Sequence, residues 1–170
     1  MLLFFRFCLA ILKGRLRRRI GVLDESSLRF TVLPTDCDLN FHLNAGRFIS
    51  LMDVARMELI THSRLLPALV KKKWRPIMGG IVVRYRRSIL PLERFTIRSR
   101  VLGWDEKWFY IEHIVEKDGV FCASGIVRML VRGATGNIAP PDVLALTGAA
   151  MPSPPLPDFV LGWRALEDAR

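Results

Sequence analysis

Two carboxylates, one imidazole and two carboxamides fall within residues 36–44: Asp36, Asp38, Asn40, His42 and Asn44. A carboxylate can take a proton from water or attack an acyl carbon directly, and a nearby imidazole can orient or shuttle that proton. Asp38, Asn40 and His42 are spaced i, i+2 and i+4, so in an extended segment all three side chains point the same way. Helical periodicity begins directly afterwards, and the first amides of a helix, which lack intrahelical acceptors, can hold a developing oxyanion. The parts of an acyl-transfer site are therefore local in sequence. The same residue types also have a plain structural use, because Asp and Asn ahead of a helix make caps and Asx turns. Asp36, Asp38 and His42 match no standard metal-ligand spacing, and no metal or other cofactor is expected.

The elements that position this cluster can be read from periodicity. Residues 26–33 alternate apolar and polar and form a strand that Pro34 stops. Phe48, Leu51, Met52, Ala55 and Leu59 recur at helical spacing, which predicts a helix over 45–63 with Asn44 as its N-cap. A second short helix is expected over 65–73, ending in three lysines. The period then changes to two, with strands expected over 78–86, 95–102, 107–116 and 120–131. Asp118-Gly119 marks a hairpin between the last two. Ala123 and Gly125 are small enough to let a helix lie close to the sheet. Trp104 and Trp108 are expected to pack around a turn at 105–107, and 140–146 reads as a short helix. One long helix and an antiparallel sheet make an α+β plan, with the helix on one sheet face.

The 170 residues suit one domain at 21–150, preceded by an apolar-basic helix at 1–20 and followed by a Pro-rich tail at 151–170. Residues 2–12 are apolar except for Arg6, too short a run for a spanning helix of about 20 residues. Their basic flank follows the apolar stretch, the reverse of a signal peptide. Three placements fit this segment: docked on the domain or a partner chain, on an anionic membrane surface contacted through residues 1–19, or as a short span held by neighbours. The chain carries 26 Lys+Arg against 16 Asp+Glu, a net charge of +10. Basic and aromatic positions are not interleaved as in RNA-binding modules, so nucleic acid is not expected as a partner. Three cysteines without CxxC pairing fit a reducing compartment, which places the protein in the cytoplasm or at the periphery of the inner membrane.

Residues 36–48, read as Asp36-x-Asp38-x-Asn40-x-His42-x-Asn44-Ala45-x-x-Phe48 and followed by Asp53-x-Ala55-Arg56, resemble the motif and helix of the hotdog-fold thioesterases. The likeness is to the 4-hydroxybenzoyl-CoA thioesterase-like and acyl-ACP thioesterase branches, and the apolar-basic lead is similar to the thioesterase superfamily member 6-like branch. Residues 83–89 resemble the strand that follows the helix in that family. The resemblance implies a hotdog fold, an antiparallel sheet wrapped around one long central helix, and hydrolysis of acyl-CoA or acyl-carrier-protein thioesters. It implies Asp38 as general base or nucleophile, with Asn40 and His42 as its polar partners. Asn44, Ala45, Gly46 and Phe48 then bind substrate at the helix mouth. Gly79 and Gly80 either leave room for the acyl chain or only form a bulge, and Arg84 and Arg86, with Arg87, Arg98 and Arg100, are candidates to meet the phosphates. It further implies a homodimer or homotetramer with sites at the subunit interface. The family's second Asn and its Tyr are replaced by Ala45 and Phe48, and its Glu by Asp53. Those losses motivate the alternative of a non-catalytic, acyl-binding hotdog attached to a membrane surface.

Overall fold

In the computed structural model, which describes residues 2–148 and 150–168, helix α2 (Ala45–His62) lies in the curl of an antiparallel sheet. The strands are β1 (Ser26–Thr31), β2 (Arg75–Tyr85), β3 (Arg94–Trp104), β4 (Phe109–Lys117), β5 (Val120–Arg132) and the two-residue β6 (Asn137–Ile138). Their order is β1-β3-β4-β5-β2, with β6 beside β5, so β1 and β2 carry the free edges. The period of two decides which side faces the helix: Leu28 and Phe30, Phe95 and Ile97, Ile111 and Val115, and Ala123 and Val127 are all buried. Phe48, Leu51, Met52, Ala55 and Leu59 meet them from α2. Gly125 is the tightest point, where an added Cβ would lie 2.6 Å from Met52 Sδ. Asp118 and Gly119 both have positive φ, the primed turn expected of an Asp-Gly hairpin.

Differences from the expected elements have local causes. Strand β2 starts at Arg75, earlier than expected, because an edge strand tolerates Pro76. A bulge interrupts its register between Met78 and Gly80. β4 begins at Phe109, because Asp105 accepts the amides of Lys107 and Trp108 and holds them in the turn. Helices α3 (Leu65–Lys72) and α4 (Pro140–Ala145) lie where the pattern predicted short helices.

Helix α1 (Leu2–Leu16) is docked on α2. Gly14 makes the close crossing, since a Cβ there would lie 2.9 Å from Thr61 Cβ. Arg64 caps the end of α1 by donating to Gly14 O (3.0 Å) and Arg17 O (2.8 Å), and Arg17 pairs with the buried Glu58 (2.9 Å). The C-terminal segment is a strap on the outer sheet face. Ser153 Oγ accepts from Trp104 N, Val160 of α5 (Asp158–Asp168) is buried, and Arg128 lies between Trp108 and Trp163 while pairing with Glu167. Among the described residues no helix is long and apolar enough to cross a membrane.

Candidate active site

Pro34 ends the strand register after β1, and one 3-10 turn, Pro34–Asp36, leads into a narrow loop. Asp38 N donates to His42 O (3.1 Å), Phe41 N donates to Asp38 O (3.0 Å), and Cys37 bridges Leu43. Phe41 takes a left-handed φ of 54° to close it. The extended alternation expected for 38–42 is thus replaced by a tight turn. The turn still brings Asp38 and His42 together, with Nδ1 3.4 Å from Oδ1. Asn40 goes to the exposed tip, where its amide donates to Asp38 Oδ1 (2.9 Å), an Asx turn that holds the carboxylate.

Asp36 has a different environment. It is buried, bonded by Arg6 and by Leu33 N, and its carbonyl accepts from Asn44 N (3.0 Å). It ties the loop to the helix start. Cys37, next to both acids, has its thiol pKa raised by burial and then by the charges of Asp36 and Asp38.

Asn44 caps α2: its Oδ1 accepts from Gly46 N (2.9 Å) and its carbonyl from Arg47 N and Phe48 N. The first-turn amides are therefore used, except that of Ala45, which has no protein acceptor among the described residues. Ala45 lines a cleft of about 260 Å³ with Asp38, His42, Phe48, Tyr85 and Arg86. Asp38, His42 and Ala45, the residue whose helix amide is open, thus line one cavity, and those group types can activate water and hold an oxyanion.

Of the other residues marked in the sequence, Phe48 walls the cleft, whereas Arg84 sits on exposed β2 outside it. Gly79 and Gly80 are not at the cleft. A Cβ at Gly79 would lie 2.2 Å from the Trp108 ring and one at Gly80 3.2 Å from Trp163, so aromatic side chains occupy the space that the glycines leave. Arg87, read with Arg84 and Arg86 as a phosphate partner, lines the cleft, as do Tyr85 and Ser88, which were not singled out. Tyr85 had a signal, since Ile81, Val83 and Tyr85 continue one strand period. Its ring packs edge-on against Phe48 at 5.4 Å, and its hydroxyl donates to Ala45 O (3.0 Å). Burial raises its phenol pKa.

This fold is that of the hotdog thioesterases, and the chain belongs to the thioesterase-like superfamily, whose family model matches residues 32–163. Its class of chemistry is thioester hydrolysis. Within the superfamily it falls in the THEM6-like branch. It is 34% identical to Protein THEM6 of Xenopus laevis over 169 residues, covering 98% of this chain and 80% of that one. It is 35% identical to Protein THEM6 of Danio rerio over 120 residues, covering 69% of this chain and 59% of that one. Among solved structures, the YbaW probable thioesterase of Escherichia coli superposes with a TM-score of 0.67 at 16% identity, covering 74% of this chain and 97% of that one, a likeness of fold.

Proposed function

We propose that the protein hydrolyses acyl-CoA or acyl-carrier thioesters with Asp38 as the acid–base or nucleophilic group. The observation that carries this reading is that paired Asp38 and His42 line one cleft with Ala45, the residue whose amide is open. The Asp38 carboxylate either takes a proton from water, which attacks the acyl carbon, or attacks that carbon itself and is released by water. Both routes end in a carboxylic acid and a free thiol. Ala45 N–H holds the oxygen that becomes negative. His42 positions the reacting groups, and Asn40 contributes through the amide that fixes Asp38. Arg86 and Arg87, at the mouth, suit the phosphates shared by coenzyme A and the carrier arm. The unpaired edge of β2, with Ile77, Met78 and Val82 more than 40% exposed, supports a homodimer formed through that edge. Thiol release from a panel of acyl-CoA and acyl-carrier thioesters, with wild type and Asp38→Asn side by side, tests the reading. Turnover by wild type alone supports it, and equal rates refute it.

The outer face of α1 favours a second property, attachment to an anionic membrane surface. Phe4, Phe5, Leu12 and Leu16 are exposed while Ala10 and Gly14 face α2, and Arg15, Arg18 and Arg19 follow. Phe5→Glu with Leu12→Glu leaves the α1–α2 contact intact and should abolish co-sedimentation with phosphatidylserine vesicles. Unchanged binding refutes the attachment.

A further inference from the structure

Helix α1 runs past the free edge of β1 in the opposite direction. Two ties fix the pair: Arg6 donates to Thr31 O (3.2 Å) and Arg17 donates to Ser27 O (2.9 Å). Between helix and strand lies a groove of about 240 Å³. Leu2, Phe5 and Leu9 wall it from α1, and Leu28, Phe30 and Leu33 from β1 and the residues after it. The three helix residues are spaced three and four apart, so they form one stripe, and all three are exposed. Exposed apolar surface rimmed by charge marks a binding site.

The two ends of the groove differ. Because the elements run in opposite directions, Lys13 and Arg29 stand toward one end, and Leu2 and Leu33 toward the other. Lys13 and Arg29 are exposed and have no ion pair among the described residues. The third cation of the lining, Arg6, is taken up by Asp36. The groove therefore offers hydrocarbon contacts at one end and two free positive charges at the other, the complement of an anionic amphiphile.

The same ties decide between occupants. A peptide strand added to this edge would need its carbonyls, and those of Ser27 and Thr31 already accept from arginines. An alkyl chain needs no hydrogen bonds. The volume lies below the roughly 300 Å³ at which sites for drug-sized ligands begin, so it suits one chain and not two. From Leu2 to Lys13 the helix advances about 16 Å, a length that the tail of a fatty acid spans.

We propose that the groove between α1 and β1 binds a fatty acid, with its tail along the Leu2, Phe5 and Leu9 stripe and its carboxylate on Lys13 and Arg29. The groove shares no lining residue with the Asp38 cleft, so the site is independent of the hydrolase reading. It takes a single molecule from solution, which separates it from attachment of α1 to a bilayer.

The test is equilibrium dialysis of the full chain, free of lipid, against labelled dodecanoate and dodecanol below the concentrations at which they aggregate. Wild type should hold the acid about tenfold more tightly than the alcohol, the scale of two exposed ion pairs. Lys13→Gln with Arg29→Gln should bring the acid down to the affinity of the alcohol. Thr31→Trp, at an exposed position of the lining, should fill the groove and weaken both by at least about tenfold, the loss of two buried methylenes. An acid preference that survives the double variant overturns the site, as does binding unchanged by Thr31→Trp, which sends the acid to another cavity. Absence of dodecanoate binding by wild type overturns it too. If phosphatidylserine vesicles then bind through Lys13 and Arg29, the pair belongs to a membrane-contacting face instead.

Discussion

Arg6 of α1 grips Asp36 of the active-site loop with both terminal nitrogens, at 2.7 and 3.1 Å, in a largely buried pair. The carbonyl of Asp36 holds Asn44, the cap of α2, and the turn bearing Asp38 hangs between them. The N-terminal helix is therefore part of the scaffold that aims the cleft. Arg6→Met leaves a buried carboxylate without its partner and should cost about 3 kcal/mol. Urea unfolding measures that loss, and thioester turnover should fall with it. Unchanged stability would show that α1 is only an appendage.

Ala45 is the first residue of α2, where proline is accommodated, and Asn44 ahead of it has φ −60° and ψ 140°, a conformation suited to precede proline. Ala45→Pro should therefore remove the open N–H and leave the fold in place. Loss of one oxyanion donor predicts a fall in kcat of roughly a hundredfold to a thousandfold. An unchanged kcat would remove this amide from the mechanism.

At Gly79 the Trp108 ring lies against the backbone of β2. Gly79→Ala should destabilise the protein by about 1–3 kcal/mol through overpacking, seen as a lower Tm. Preference among acyl chain lengths should stay the same. A changed preference at full stability would put the acyl chain beside Gly79.

Burial, and after it the charge of Arg56, lowers the His113 pKa from 6.5 to about 3. The unfolded chain takes up a proton on this residue below 6.5, and the folded chain does not until about 3. The contribution to stability is complete above 6.5 and is lost as the pH falls toward 3, with a slope of up to about 1.4 kcal/mol per pH unit. His113→Asn should flatten the acid side of a stability profile measured by urea unfolding between those limits. Parallel profiles would show that His113 is already protonated in the fold.

Local features were legible in the sequence because they depend on neighbouring residues. Asn44 caps α2, Asp118-Gly119 makes the hairpin, and Gly125 gives α2 its close approach. What escaped depends on distant contacts. The Arg6–Asp36 pair spans 30 residues, and no period in 2–12 indicates it. The left-handed Phe41 that brings His42 back to Asp38 has no residue signature, since such a φ is uncommon outside glycine. The two glycines of β2 were read either as space for substrate or as a bulge; the bulge is present between Met78 and Gly80, and a bare glycine does not show whether a ligand or a tryptophan fills the gap it leaves.

The role of Asp38 in the chemistry is tested most directly by the single-turnover rate of acyl-CoA hydrolysis for Asp38→Asn. Its exposed turn is held by main-chain bonds, so the variant should unfold with the same Tm as wild type. Its rate should be at least roughly a hundredfold lower, the scale of a lost acid–base group. A folded Asp38→Asn that turns over at the wild-type rate would contradict it.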